Sequence, residues 1–284
     1  MASIVKKDSS NSPKFVCIGA QKAGTTWLAD VLTLHPDLWN PGVKEIHFFD
    51  RVIPATNQLK SKEAQGLLAK LRRKSRRGPN RASEELLTRK ECTFSLDDYL
   101  LLFENKPPEQ IAWEITPSYA SMPEANVKYM TQILKGCKYL FIIRDPYERA
   151  VSQWRMAISR QYEREAFNEA ELNKKFDKWV EKGNLNRGRY SSIVDTYAKY
   201  VDLNKYFLFL PFGEIKARPQ NFLKKIYNYI GISEYYPEET SKPSHITKKH
   251  SLSDYVRDRL TQLTSKENIF LRDFFGEQFA KDCS

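Results

Sequence analysis

The chain has 284 residues, 41% hydrophobic and 13% aromatic, with apolar patterning almost to its end, which marks a globular protein with ample material for a core. Lys and Arg number 46 against 35 Asp and Glu, a net charge of +11 that favours anionic partners. No apolar run reaches the roughly 18 residues a membrane helix needs, and the opening MASIVKKDSSNSPK lacks the apolar centre of a secretory signal, so a cytoplasmic location is expected.

Four cysteines, Cys17, Cys92, Cys137 and Cys283, are widely scattered. Their spacing suits neither a metal site nor a disulfide framework, and no metal is expected. Cys17 and Cys137 sit in or beside apolar stretches and read as core thiols.

Residues 1–13 read as a flexible tail, and 14–284 as a single domain. A short apolar strand over 15–18 runs into Gly19-Ala20-Gln21-Lys22-Ala23-Gly24-Thr25-Thr26. An amphipathic helix follows, with Trp27, Leu28, Val31, Leu32 and Leu34 as its apolar positions. This order makes an anion cradle, because the free N–H groups of a first helical turn and the helix dipole face the loop. Gly19 and Gly24 allow close backbone approach, Lys22 adds a full charge, and Thr25 and Thr26 add hydroxyls. The expected ligand bears phosphate. The loop is not the nucleoside-triphosphate loop, which carries Lys directly after its second Gly. Here Thr25 holds that place and the lysine lies two residues before Gly24.

A second strand is expected over 43–49. On an extended backbone Glu45 and His47 share one side, where an acid and an imidazole could hold a proton. An outward polar face of an edge strand is the other reading. Residues 58–90 read as a basic helical insertion, with eleven Lys and Arg against three Glu over 60–90. That tract suits either a polyanion or simple solvation, and no aromatic interleaves it for single-stranded nucleic acid.

Short helices are expected over 96–103 and 123–134, with strands over 110–115 and 139–143. The last of these is wholly apolar, as in a buried parallel strand. Arg144 then stands at the sheet's ligand edge, with a helix opening at Pro146 and Ser152 on it. Arg144 either meets a second anion or pairs locally with Asp145 or Glu148, and Arg149 is expected at the surface. Helices over 170–182, 189–202 and 219–230, a strand over 206–210, and helices over 253–263 and 268–275 complete the chain. Strands alternating with helices predict an α/β fold, a mostly parallel sheet with helices on both faces.

These clusters together resemble the PAPS-dependent sulfotransferases, PAPS being 3′-phosphoadenosine 5′-phosphosulfate. Similarity is closest to the glycan 3-O-sulfotransferase domain of heparan-sulfate-modifying enzymes and its bacterial relatives. The run Glu45-Ile46-His47-Phe48-Phe49-Asp50 matches that branch almost letter for letter. Glu114-Ile115-Thr116-Pro117-Ser118-Tyr119 resembles its Glu-Lys-Ser-Pro-x-Tyr segment, and Gly188-Arg189-Tyr190 its Gly-x-Tyr. The resemblance implies a P-loop-like three-layer fold, a central mostly parallel sheet flanked by helices.

It further implies that Gln21, Lys22, Ala23, Gly24, Thr25, Thr26 and Trp27 hold the 5′-phosphosulfate end. Arg144, Ser152 and Tyr190, with a basic loop at Lys248, Lys249 and His250, hold the rest of the cofactor. Glu45 is implied as the base, with Lys22 and His47 beside the sulfonate. The product is 3′,5′-ADP (PAP), and the acceptor is a carbohydrate, lipid or secondary metabolite. Ile115 stands where the branch carries a lysine, and the cysteine pair that clamps its late loop is absent. The rival readings are a small-molecule kinase, which lacks its lysine-serine/threonine pair, and a non-catalytic polyanion binder using 60–90.

Overall fold

The structure, a computed structural model, describes residues 12–75, 86, 93–162, 168–241 and 251–284. At its centre lies strand β1, Phe15–Gly19, all five residues buried. Beside it run β2 (Leu38–Trp39), β5 (Ile111–Ile115), β6 (Lys138–Ile143) and β7 (Phe207–Pro211), in the order β2-β5-β1-β6-β7. Every pairing in this sheet is parallel, Phe15 lying opposite both Trp113 and Lys138. Both faces are covered, which is why β1 and the 139–143 stretch of β6 are buried throughout rather than alternating. A separate two-stranded ladder, β3 (Val52–Ile53) with β4 (Gln58–Leu59), was not foreseen from the sequence.

The flanking helices begin and end where local chemistry requires. α1, Thr25–Thr33, starts on Gly24, and α2 is Ser61–Ser75. Ser95 and Asp98 form a capping box on α3, Leu96–Leu101. α4 is Glu124–Ile133, α5 is Pro146–Tyr162 with proline at its first position, and α6 is Glu169–Glu181. α7 (Tyr190–Ala198), α8 (Leu203–Tyr206) and α9 (Gly213–Ala217) follow. α10, Pro219–Ile230, ends on Gly231 in the left-handed region at φ 83.

Two expectations are corrected. The closing segment is one helix, α11, Asp254–Phe275, followed by a short α12, Glu277–Asp282. The expected break over 264–267 does not occur: Thr264 is buried on the helix's inward face, and the Thr264 and Ser265 hydroxyls donate to the Leu260 and Gln262 carbonyls, so neither is left unpaired. Residues 43–49 are not a strand. Val43, Ile46, Phe48 and Phe49 are buried while Lys44, Glu45 and His47 are half-buried, a pattern without the strict alternation of a half-buried strand, and the segment has no ladder partner among the described residues. Of the insertion, α2 is helical as expected, and 76–85 and 87–90 lie outside the described residues.

The main core surrounds the sheet. A second, smaller cluster joins Val151, Trp154 and Ile158 of α5 to Phe176 and Trp179 of α6 and Leu260 of α11. Cys17, Cys137 and Cys283 are free and buried, and burial pushes the Cys17 thiol up to about 12, too high for ready reaction. Among the described residues no helix is long and apolar enough to cross a membrane.

Candidate active site

The cradle forms where β1 turns into α1. Gly24 caps the helix at φ 77, and a Cβ there would stand 2.5 Å from Ile215 Cδ1, so both conformation and space call for glycine. No side chain caps α1, and its first-turn N–H groups lack intrahelical acceptors. Lys22, also left-handed at φ 70, stands in the middle of the turn. Its ammonium meets Met156 Sδ of α5 at 3.8 Å, and burial, then the neighbouring Arg144 charge, lowers its pKa. Gln21 Oε1 is buried without a hydrogen-bond partner. Ala23 and Thr25 are buried, while Thr26 Oγ1 accepts from Lys44 Nζ at 2.8 Å. Trp27 is buried, its indole N–H donating to the Thr240 carbonyl at 3.2 Å. That contact ties the chain at Thr240 to α1; Lys248, Lys249 and His250 lie outside the described residues.

Because β6 neighbours β1, its end brings Arg144 to the cradle. Arg144 Nη1 donates to the Lys22 carbonyl at 3.1 Å, and the guanidinium lies 4.7 Å from the Phe212 ring centre. Glu148 is 3.6 Å from Nη2, so the expected local pairing exists, yet Nε is buried without a partner. Burial lowers the Arg144 pKa. Tyr190 is fully buried and its hydroxyl donates to the Arg144 carbonyl at 2.8 Å, which fixes the strand end. The Asp145 N–H donates to the Cys283 carbonyl at 2.9 Å. Ser152 is half-buried on α5. Arg149 is not at the surface: it is 1% exposed, bonded to Gln153 at 2.7 Å and packed on Gly188, where a Cβ would meet its Nε at 2.4 Å. Its place on the inward face of α5 overrides its charge.

The third component is the loop carrying Glu45 and His47. Both residues have positive φ, 59 and 61, a conformation costing about 1–3 kcal/mol each for a non-glycine residue. The structure brings the two side chains together by this bend rather than by an extended backbone. His47 Nε2 lies 3.7 Å from Glu45 Oε2, and Asp50 Oδ2 lies 2.9 Å from His47 Nδ1. Lys44 Nζ is 3.2 Å from Glu45 Oε1 while also reaching Thr26, so it links the loop to the cradle. The hydrogen bond from His47, helped by Lys44 and opposed by burial, holds the Glu45 carboxyl down to about 2. Burial lowers the His47 pKa, but hydrogen bonds to Asp50 and Glu45 outweigh it and the net direction is up. The resting arrangement is therefore a carboxylate beside an imidazole that holds its second proton more tightly than an ordinary histidine does.

Side chains from distant elements hold this loop. The Glu45 N–H donates to the Ile115 carbonyl at 2.9 Å, and the Ile115 side chain is buried in the core. The Tyr119 hydroxyl accepts the N–H groups of Phe48 and Phe49 at 3.2 and 3.3 Å and donates to Glu114 at 2.7 Å. Glu114, 2% exposed, also accepts from Tyr99 and Thr116. Asn126 donates to the Phe49 and Val52 carbonyls. Lys70 of α2 donates to the Lys44 and Glu45 carbonyls.

Sequence reasoning missed Asp50, Lys44 and Lys70 as members of the site. Asp50 was legible three residues after His47, a spacing that on a bend lets a carboxylate reach Nδ1. Nothing in the spacing signalled Lys70.

Residues 13–237 match the family model described as "Sulfotransferase family". Mouse heparan sulfate glucosamine 3-O-sulfotransferase 3A1 is 22% identical over 234 residues, covering 82% of this chain and 49% of that protein. The chain thus spans about half the length of the curated relatives it matches. Among solved structures, a sulfotransferase from Alicyclobacillus acidocaldarius superposes with a TM-score of 0.62 at 21% identity, covering 92% of this chain and 94% of that one. Mouse sulfotransferase SULT7A1 complexed with PAP gives 0.50 at 15% identity, covering 97% and 91%. These likenesses are of fold.

Proposed function

The chain belongs to the sulfotransferase family, and from that premise we propose that it transfers the sulfonate of PAPS in line to a hydroxyl or amine of a carbohydrate, lipid or secondary-metabolite acceptor. One observation carries the reading: the cradle at β1, the arginine at the neighbouring strand end, and an ionised Glu45 tied through Lys44 to Thr26 form one continuous site. A ligand anionic at two ends suits the donors available. The buried, unpartnered Arg144 Nε and the uncapped first turn of α1 are groups that phosphate oxygens would satisfy.

PAPS, when bound, supplies the sulfonate, its S–O bond to the phosphate breaking as the bond to the acceptor oxygen or nitrogen forms. Loop 21–27 would hold the phosphosulfate end, and Arg144 and Ser152 the 3′-phosphate; Lys248, Lys249 and His250, assigned to the cofactor by resemblance, lie outside the described residues. Lys22 sets a positive charge where negative charge develops, usually the largest catalytic contribution. Glu45 takes the acceptor proton on a carboxylate oxygen, and His47 donates a hydrogen bond to the sulfonate.

A second reading has direct geometric support. Asp50 on Nδ1 orients His47 as a triad aspartate does, which would leave Nε2 as the base and Glu45 as its positioner. The pH profile of kcat/KM with labelled PAPS separates the two. With Glu45 as base, the working form keeps the His47 proton. Activity then falls as pH rises through the His47 pKa, which lies above its ordinary 6.5. With His47 as base, activity rises through the same range. The Glu45 reading also expects Glu45→Gln to lose turnover with PAPS affinity kept, and His47→Ala to be damaged less. An active Glu45→Gln enzyme beside an inactive His47→Ala enzyme would reverse the roles.

A further inference from the structure

The basic segment that read from sequence as either a polyanion patch or a solvated face contains one lysine with a different setting. α2 buries Ala64, Leu67, Leu68 and Leu71 against the core and exposes Lys62 and Arg73. Lys70 lies between these faces, half-buried, and its ammonium donates at 2.6 Å to the Lys44 carbonyl and at 2.7 Å to the Glu45 carbonyl. Those two carbonyls belong to the two peptide planes on either side of the Glu45 Cα. One plane turns with φ of Glu45 and the other with ψ. A single charge gripping both therefore fixes the left-handed conformation at φ 59, which an L residue rarely adopts.

We propose that Lys70 is a positioning residue for sulfonate transfer: by tying both peptide planes that flank Glu45, it holds the carboxylate against His47 and couples the basic helix to the active site. The inference rests on the role given to Glu45 above. Without the tie, the Glu45 backbone relaxes toward the ordinary extended or right-handed regions. The carboxylate then swings away from His47 Nε2, while the cradle and Arg144 are untouched. A misplacement of this kind, remote from the bonds that change, costs about 10- to 100-fold in rate.

The test compares Lys70→Met, Lys70→Arg and, on the exposed face of the same helix, Lys62→Met. Three quantities are read: kcat with PAPS, the melting shift produced by PAP, and the His47 imidazole titration by NMR. Besides Glu45, the charged groups facing His47 are Asp50 and Arg51 of its own segment. Lys70→Met is expected to lower kcat about 10- to 100-fold with the PAP shift kept. Its His47 midpoint should move down, because the carboxylate has left. Loss of the Lys70 charge alone would move it up, so the direction separates positioning from simple electrostatics. Lys70→Arg, which can still bond both carbonyls, should recover most of the rate, and Lys62→Met should match the wild type.

A Lys70→Met enzyme with kcat within about twofold of wild type, or with an unmoved or raised His47 midpoint, overturns the proposal. So does a loss of kcat and PAP binding together with a collapsed melting transition, which marks a purely structural lysine. Glu45→Gln run alongside keeps the two claims apart. If Glu45→Gln stays active while Lys70→Met still lowers kcat and the His47 midpoint, positioning holds and the base assignment fails. If Glu45→Gln is inactive and Lys70→Met behaves as wild type, only the positioning fails.

Discussion

The cradle and the Glu45 loop lie side by side but are built in opposite ways. The cradle is local: β1, a turn and α1 supply its backbone from a dozen consecutive residues, and helix geometry alone leaves its N–H groups open. The loop has no regular structure, and its shape is set by side chains of Lys70, Tyr119 and Asn126 and by the Ile115 carbonyl. A turn between a strand and a helix is preorganised by the elements themselves. An irregular loop with two left-handed non-glycine residues stays in place only if its surroundings over-determine it. Removing the Lys22 charge from the cradle should therefore cost function and little stability, whereas substitutions in the loop's supports should cost both.

The largest effect is expected at Lys22. Lys22→Ala should lower turnover by about 100- to 1,000-fold, the usual loss for a group that meets developing charge. Because the residue lies in a turn, with its ammonium against Met156 rather than in the core, unfolding free energy should change by less than about 1 kcal/mol. Steady-state kinetics with a denaturant melt checks both halves. Turnover above about a tenth of wild type would break the cradle side of the comparison.

A smaller effect that includes a loss of stability is expected at Tyr119. Tyr119→Phe removes the acceptor of the Phe48 and Phe49 N–H groups and a donor to the buried Glu114. Stranding buried polar groups costs about 1–3 kcal/mol, so the denaturant midpoint should fall with PAP binding retained. Wild-type stability in that variant would show that the loop does not depend on its supports.

The same contrast explains what the sequence disclosed. The parallel sheet, the cradle and Arg144 at the end of an apolar strand were legible because each depends on neighbours in the chain. The core thiols Cys17 and Cys137 were legible for the same reason. The Glu45 loop was misread as a strand because Val43, Ile46, Phe48 and Phe49 intersperse apolar residues among Lys44, Glu45 and His47, while the features that forbid a strand lie in α2, in α4 and around Tyr119. Arg149 was misread because charge argues for the surface, and only the packing of α5 on Gly188 reveals it as buried. Lys70 lay unmarked among ten other basic residues of one tract, and its role is visible only from the carbonyls it reaches.

The most direct test of the account needs no acceptor. It is the melting temperature of the wild type, Arg144→Ala and Glu45→Gln, each with and without PAP. At a concentration about a hundredfold above its dissociation constant, PAP should stabilise the wild type by about 2.7 kcal/mol, a rise of roughly 5–10 °C. Glu45→Gln should rise equally, and Arg144→Ala should lose most of the shift. An unchanged wild-type melting temperature, or an Arg144→Ala protein stabilised as fully as the wild type, would contradict the assignment of the cradle and Arg144 to the cofactor.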